Sequence, residues 1–450
     1  MNKTSLTNYT FSISDFKEMK QKVLSWVQQF DTFCFLDNHQ YQIEPHTEEC
    51  LLAADIRRQI KADAGTAIKQ LQDFIDETNY RSDPDNTGCC NEAHTGRWLF
   101  GHLGYDLKNE VEGFTSSKES GIQFPDLFFF EPEIIIRLSK SEMVIEADDP
   151  HKIFQDIKDI TSIESSMVAA DVPPKIQNRI SKEEYIGTIK KLQEHILRGD
   201  CYEINYCQDF FAQNAIIDPV AVYKKLSTVS PNPFSALYKM NNQWLICASP
   251  ERFLKKQGNK ILSQPIKGTA KRIINDNNKN ELSRDELLNS AKDRSENVMI
   301  VDLVRNDLSK VCNEGTVQVD ELYGVYSFPQ VHQMISTISG ELKEKISFTD
   351  ILIATFPMGS MTGAPKNKVM QLIEKYEQTK RGIFSGAVGY FSPNGDFDFN
   401  VVIRSIMYNA DTSYLSFQTG SAITFYSDPE KEWEECLLKA GAIKMVLEDQ

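Results

Sequence analysis

Runs rich in aromatic and β-branched residues follow one another along this chain without strict alternation with helical segments. A doubly wound parallel sheet requires that alternation, so its absence points to an α+β fold. The segments WLFGHLGYD, FPDLFFFEPEIIIRL, CYEINYCQDFF, FSALYKM, WLICAS and KKQGNKILSQPI read as strands with turns between them. Helical sequence is equally plain. Ser181 and Glu184 form a capping-box pattern, Ile186, Ile189, Leu192 and Ile196 follow at helical spacing, and Gly199 is a stop. A second such pattern, Ser283 to Glu286, opens helical sequence that runs with one break to Val311. A helix near 366–376, hairpin-like strands over 386–418 and a final helix over 429–448 complete the pattern. No fixed-period repeat is visible.

The 450 residues are more than one small domain needs. The polar stretch from Arg81 to His94 reads as an exposed loop. Around Thr161–Asn178 the pattern fades, and Pro173-Pro174 would interrupt either regular structure. The expected division is therefore an N-terminal region over 1–165 and a second unit over 175–450. With 49 basic and 64 acidic residues the net charge is −15, which argues against a general nucleic-acid binder. It leaves room for an anionic small substrate, because a site can be locally positive inside an acidic protein. No run of 18 apolar residues suggests a membrane span, and the N-terminus lacks the apolar core of a secretion signal, so the cytoplasm is the expected location. The nine cysteines include no CxxC pair, and Cys89-Cys90 are adjacent, which fits reduced thiols better than a zinc site or a disulfide framework.

Five segments of the second half carry the chemistry. They are Ser249-Pro250-Glu251, the run Pro265-Ile266-Lys267-Gly268-Thr269, SENVMIVDLVRND over 295–307, GSMTGAPK over 359–366, and Ser427-Asp428-Pro429-Glu430 followed by Glu432 and Glu435. Any one would be weak. Together, in this order and spacing, they resemble the chorismate-utilising enzymes, strongly over 180–450 and loosely before 165. The resemblance implies two β-sheets packed as a sandwich and wrapped by helices, as in anthranilate synthase component I.

Chorismate is a dicarboxylate with a leaving hydroxyl at C4. Displacing that hydroxyl requires a held ring carboxylate, a proton for the leaving group and a delivered nucleophile. The resemblance implies Mg²⁺ for the first task, held by Glu296, Glu432 and Glu435. The last two are three apart on one helical face. A surface role is the bland alternative for such a pair. Glu296 precedes the apolar run Val298–Val301, where an unpaired carboxylate would be costly to bury. Glu251 is the implied general acid, which requires a raised pKa; pairing with Arg252 at a strand end is its ordinary alternative. Lys267 stands where anthranilate synthases typically carry Ala. It is the implied nucleophile at C2, and only an unprotonated amine can attack, so a lowered pKa is expected. A solvated turn lysine is the alternative there. By the same resemblance Arg404 clamps a substrate carboxylate. Tyr390 is a second donor, Gly420 begins a glycine loop, and Thr269 and Lys439 face the substrate. Asp302, Arg305 and Asp307 are expected to form a structural ion network.

Three positions depart from the family pattern. Glu203 replaces the Gln usual in amino-synthases, and it is not the Lys that activates water in isochorismate synthases. It is a candidate to hold an ammonium ion or take its proton. Gln333 replaces a His, and Gln cannot shuttle protons. Ala422 interrupts the glycine loop, where a positive φ would be uncomfortable. No glutamine-hydrolysing signature is visible, so ammonia is expected from a separate glutamine amidotransferase subunit. The expected reaction is amination of chorismate at C4, giving 4-amino-4-deoxychorismate for p-aminobenzoate and folate. Amination at C2, the anthranilate-forming reaction of tryptophan synthesis, is the rival. A non-catalytic binding subunit of the same fold is a third reading.

Overall fold

The computed structural model describes residues 6–41, 49–79, 96–161, 172–273, 275–328 and 331–448. The loop read over 81–94 and most of the 161–178 linker lie outside the described residues. The strands form one hydrogen-bonded ladder of 20 members. All its strand pairings are antiparallel. Helices pack on it, which is the α+β class expected. The two sheets of the expected sandwich are thus continuous through hydrogen bonds. The Thr32–Asp37 strand is the midpoint, paired on one side with Cys50–Ala62 and on the other with Phe234–Met240. The two arms close on a shared core that joins Cys34, Cys207, Leu245 and Met407 to Phe129, Val388 and Phe399.

The same ladder knits the two ends of the sequence together. Thr32–Asp37 pairs with Phe234–Met240, and Leu99–Leu103 pairs with Ala387–Phe391. Residues before 161 and after 172 therefore both contribute strands to one ladder. The reason is a matter of edges: the N-terminal strands leave unpaired backbone groups that the later hairpins satisfy.

Helix boundaries follow their caps. The Lys182–Leu197 helix has the expected capping box from Ser181 and Glu184, and Gly199 follows its end at φ 81°. The second expected box is a correction. The Asn277–Asn289 helix begins at Asp276, whose carboxylate accepts from Lys279 N, and Ser283 lies inside it with its hydroxyl on Lys271 O. A break at Ser290 caps the next helix, Ala291–Val311. The sequence Gly420-Ser421-Ala422 is another correction. It lies within the regular Tyr414–Ile423 strand opposite Cys207–Asn205, so Ala422 meets no positive φ.

One buried ion pair ties several of these parts together. The guanidinium of Arg381 donates from Nε to Glu377 Oε2 at 2.9 Å and from Nη2 to Oε1 at 2.6 Å. It also donates to the carbonyls of Met361 and Asn205, while Glu377 Oε1 accepts from Cys207 N. Removing one partner leaves a buried charge uncompensated, which costs about 3–5 kcal/mol. Glu377→Ala is therefore expected to lower the urea midpoint by that much stability. An unchanged midpoint would show that the pair is dispensable.

Candidate active site

The ladder brings strand ends and helix starts to one place. Lys267 lies on the Ile266–Lys271 strand, where the register against Val331–Glu341 shifts between Ile266 and Thr269. Gly268 follows at φ 97°, and a Cβ there would stand 3.1 Å from Asp293 and Leu287 atoms. Such an irregular step re-aims a side chain out of simple alternation. Lys267, with its side chain 10 % exposed, donates from Nζ to Glu203 Oε1 at 2.8 Å. Glu203 is fully buried at the start of the Glu203–Ala212 strand, and its Oε2 has no hydrogen-bond partner. The two-residue strand Gly363–Ala364 pairs with Ile204 and Glu203, and a Cβ on Gly363 would collide with Glu203 O at 2.1 Å. Only glycine permits that approach.

Burial works to lower the Lys267 pKa, but Glu203, Glu296 and Glu251 outweigh it and hold the ammonium above the ordinary lysine range. The lowered pKa expected from the sequence is thus a correction. Among the described residues, carboxylates dominate the field at Lys267. This arrangement favours the charged amine, and Glu203 accepts its hydrogen bond.

Glu251 follows the Gln243–Ser249 strand and is buried. Ser360 Oγ donates to its Oε1 at 2.5 Å. Burial pushes its carboxyl up to about 7, against the opposing pull of that hydrogen bond, Lys267 and Arg404. Arg252, the alternative partner, instead grips Asp398 through Nε and Nη2 at 2.9 and 3.0 Å. Arg404 has a left-handed φ of 51°. Burial brings its pKa down to about 10 although Glu251 pulls the other way. The side chain is half-buried, and its guanidinium makes no hydrogen bond to a described residue.

The Ala291–Val311 helix carries Glu296, and the Pro429–Glu448 helix carries Glu432 and Glu435. Glu296 is buried with its Oε1 lacking a hydrogen-bond partner. Burial, with Glu203 and Asp293 adding negative charge, pushes its carboxyl up to about 7 against Lys267 and Lys292. Glu432 is buried as well. Lys292 Nζ lies between them, 3.8 Å from Glu296 Oε1 and 3.6 Å from Glu432 Oε1. Glu435 is more open and pairs with Lys439 at 2.7 Å; burial works to raise its pKa, but Lys439, Lys292 and Lys267 bring it below the usual range. Among the described residues the acids do not close into a metal-holding cluster. Two buried carboxylates that share a single cation nevertheless suit a hard divalent ion, which takes oxygen ligands.

Other expected residues are placed less centrally. Lys439 donates to Gly420 O at 2.8 Å, and a Cβ on Gly420 would stand 2.5 Å from Cys207 Sγ. Thr269 is exposed beyond the bulge, opposite Gln333, whose amide is buried with neither polar atom hydrogen-bonded. Tyr390 lines a separate cavity of about 190 Å³ with Trp98, Asn38 and Phe234, none of which belongs to the Lys267 cluster. Its expected substrate contact is a correction: it alternates onto the face that packs on Trp98 and Phe100. Asp302 pairs with Arg305 at the surface, and Asp307 pairs with Lys310 and Lys366. Sequence reasoning missed the roles of Ser360 and Lys292. Ser360 sat inside a recognised motif, and Lys292 is four residues before Glu296, the spacing at which helical neighbours meet.

The sequence pattern of the chorismate binding enzymes matches residues 33–445. The chain belongs to that family. It is 31% identical over 362 residues to aminodeoxychorismate synthase component 1 of Bacillus subtilis, covering 77% of this chain and 76% of that one. It is 33% identical over 357 residues to an anthranilate synthase component I-like protein of Synechocystis, covering 78% and 73%. A probable chloroplastic aminodeoxychorismate synthase of rice is 42% identical over 273 residues, covering 60% of this chain but 30% of the longer rice protein. The fold matches anthranilate synthase component I from Streptococcus pneumoniae with a TM-score of 0.74 at 24% identity, covering 91% and 94%. It matches the menaquinone-specific isochorismate synthase of Escherichia coli with a TM-score of 0.75 at 16% identity, covering 99% and 96%. No helix among the described residues is long and apolar enough to cross a membrane.

The Glu251 geometry has a stability signature. A carboxyl whose folded pKa lies above its unfolded value stabilises fully below the unfolded pKa and loses that contribution as pH rises through the folded one. For Glu251 the window runs from 4.5 to about 7. Glu251→Gln cannot ionise, so its stability relative to the wild type should grow across that window by on the order of 3 kcal/mol. Chemical denaturation at pH 4.5 and pH 8 measures the change; a gap that shrinks with pH would contradict the raised pKa.

Proposed function

We propose that this chain aminates chorismate at C4, the activity of an aminodeoxychorismate synthase component I, and releases 4-amino-4-deoxychorismate for p-aminobenzoate and folate synthesis. The observation that carries this reading is Lys267, held against Glu203 within a cluster that also contains Glu251 and Arg404. The relatives named aminodeoxychorismate synthase support it.

In this reading Arg404 takes a substrate carboxylate in a bidentate pair. Glu203 accepts the Lys267 proton, which frees the amine lone pair to bond to C2. The ring double bonds shift, and the C4–O bond breaks as Glu251 delivers its proton, so the hydroxyl leaves as water. Ammonia then bonds to C4, the shift reverses and Lys267 departs from C2. Glu296, Glu432 and Glu435 would hold Mg²⁺, which would supply charge neutralisation for the ring carboxylate. Ammonia comes from a glutamine amidotransferase partner, and the protein works in the cytoplasm.

Incubation with chorismate, Mg²⁺ and ammonium at raised pH should yield 4-amino-4-deoxychorismate by mass, whereas glutamine alone should not. Anthranilate as the product would overturn the C4 assignment. Lys267→Ala should lose the covalent route. Lys267→Arg should fail with it, because a guanidinium stays protonated. Rapid quench with chorismate and no ammonia should leave an adduct on Lys267. If no adduct forms and Lys267→Ala keeps the wild-type product, Lys267 has no covalent role.

A further inference from the structure

Lys292 stands where the helix dipole alone would not place a cation. It is the second residue of the Ala291–Val311 helix, after the Ser290 cap. The first turn carries the positive end of the helix dipole, which favours acids and disfavours lysine. Its side chain is 56 % exposed, yet Nζ turns inward to lie 3.8 Å from Glu296 Oε1 and 3.6 Å from Glu432 Oε1. Those two carboxylates come from different helices. Their side chains are only 10 % and 3 % exposed. Without a shared cation they would repel across a space that water reaches poorly. Glu435 and Asp293 add to the negative field there. The Lys292 stem is long, flexible and open to solvent, so the ammonium can leave this position without moving the backbone.

We propose that Lys292 is a built-in competitor for the divalent ion: its ammonium bridges Glu296 and Glu432 when the metal is absent and swings to solvent when the metal binds. This rests on the reading of Glu296 and Glu432 as metal ligands. The tether keeps the two helices joined in the metal-free protein and weakens the apparent affinity for metal. Two partly exposed ion pairs, given up together, are worth about a tenfold change.

The test is calorimetric titration of the full-length protein with Mg²⁺ at constant ionic strength, without chorismate, beside melting in EDTA. Lys292→Met should bind Mg²⁺ about tenfold more tightly than the wild type. It should also melt lower in EDTA and recover at saturating Mg²⁺. Lys292→Arg keeps the charge and should not bind more tightly. Lys182→Met is the control, because Lys182 pairs with Glu430 beside the start of the same C-terminal helix. If it tightens binding as much as Lys292→Met, the effect is a general field and the competitor role is overturned. If the wild type binds Mg²⁺ and Lys292→Met binds it equally or more weakly, the competitor role fails while the metal reading stands. If no variant takes up Mg²⁺, the metal reading fails and takes this inference with it.

Discussion

The buried pair between Arg381 and Glu377 is the constraint from which the site is hung. Its two side chains bind backbone rather than substrate. Arg381 holds Asn205 O and Met361 O, and Glu377 holds Cys207 N. Asn205 and Cys207 lie on the strand that begins with Glu203, the partner of Lys267. Met361 is the neighbour of Ser360, whose hydroxyl sets the Glu251 carboxyl. One charged pair thus fixes, through two short backbone paths, both the carboxylate beside the Lys267 amine and the hydrogen bond on Glu251. A buried pair of this kind is weak evidence for net stability. Its geometric use is clearer: five directional donors on one planar group fix several strands at once.

Charge balance in the cluster explains the rest of the arrangement. Glu203, Glu251, Glu296 and Glu432 are all buried, and the chain's own cations near them are Lys267, Lys292 and Arg404. Burial works to raise a carboxyl's pKa, and a nearby cation opposes it. The outcome is uneven because the cations are unevenly shared. Glu251 and Glu296 rise to about 7, whereas Glu435, more open and paired to Lys439, stays below the usual range. Identical side chains thus obtain different proton affinities from their environment alone.

The sequence was most legible where chemistry is local. The Ser181 capping box, the helix over 366–376 and the final helix follow from caps and periodicity, and they stand where they were expected. Local signals misled at Ser283, where a capping pattern lies inside a helix begun by Asp276. They misled again at Tyr390, because a strand residue's face is set by register, and a one-residue offset reverses it. The continuity of the ladder was not legible at all. The pairing of Thr32–Asp37 with Phe234–Met240 is a contact across 200 residues that no window of sequence contains. The Lys267 pKa was misread for the same reason: the carboxylates that raise it come from a strand start, a turn and a helix remote in sequence.

Glu203 gives the departure from the family pattern a physical meaning. A glutamine there could hydrogen-bond an amine, but it could not accept its proton. A lysine there would repel Lys267 and depress its pKa by like charge. The carboxylate does the opposite: it stabilises the ammonium at 2.8 Å. Under the proposed covalent attack, the group that stabilises the ammonium would also be the one to accept its proton. Moving the proton to Glu203 neutralises both partners at once, with no separated charge left in a buried site. Its Oε2 has no hydrogen-bond partner among the described residues, and in the proposed reaction it would be open to an incoming amine or ammonium. In the proposed reaction the same carboxylate would serve first the lysine and afterwards the nitrogen that replaces it.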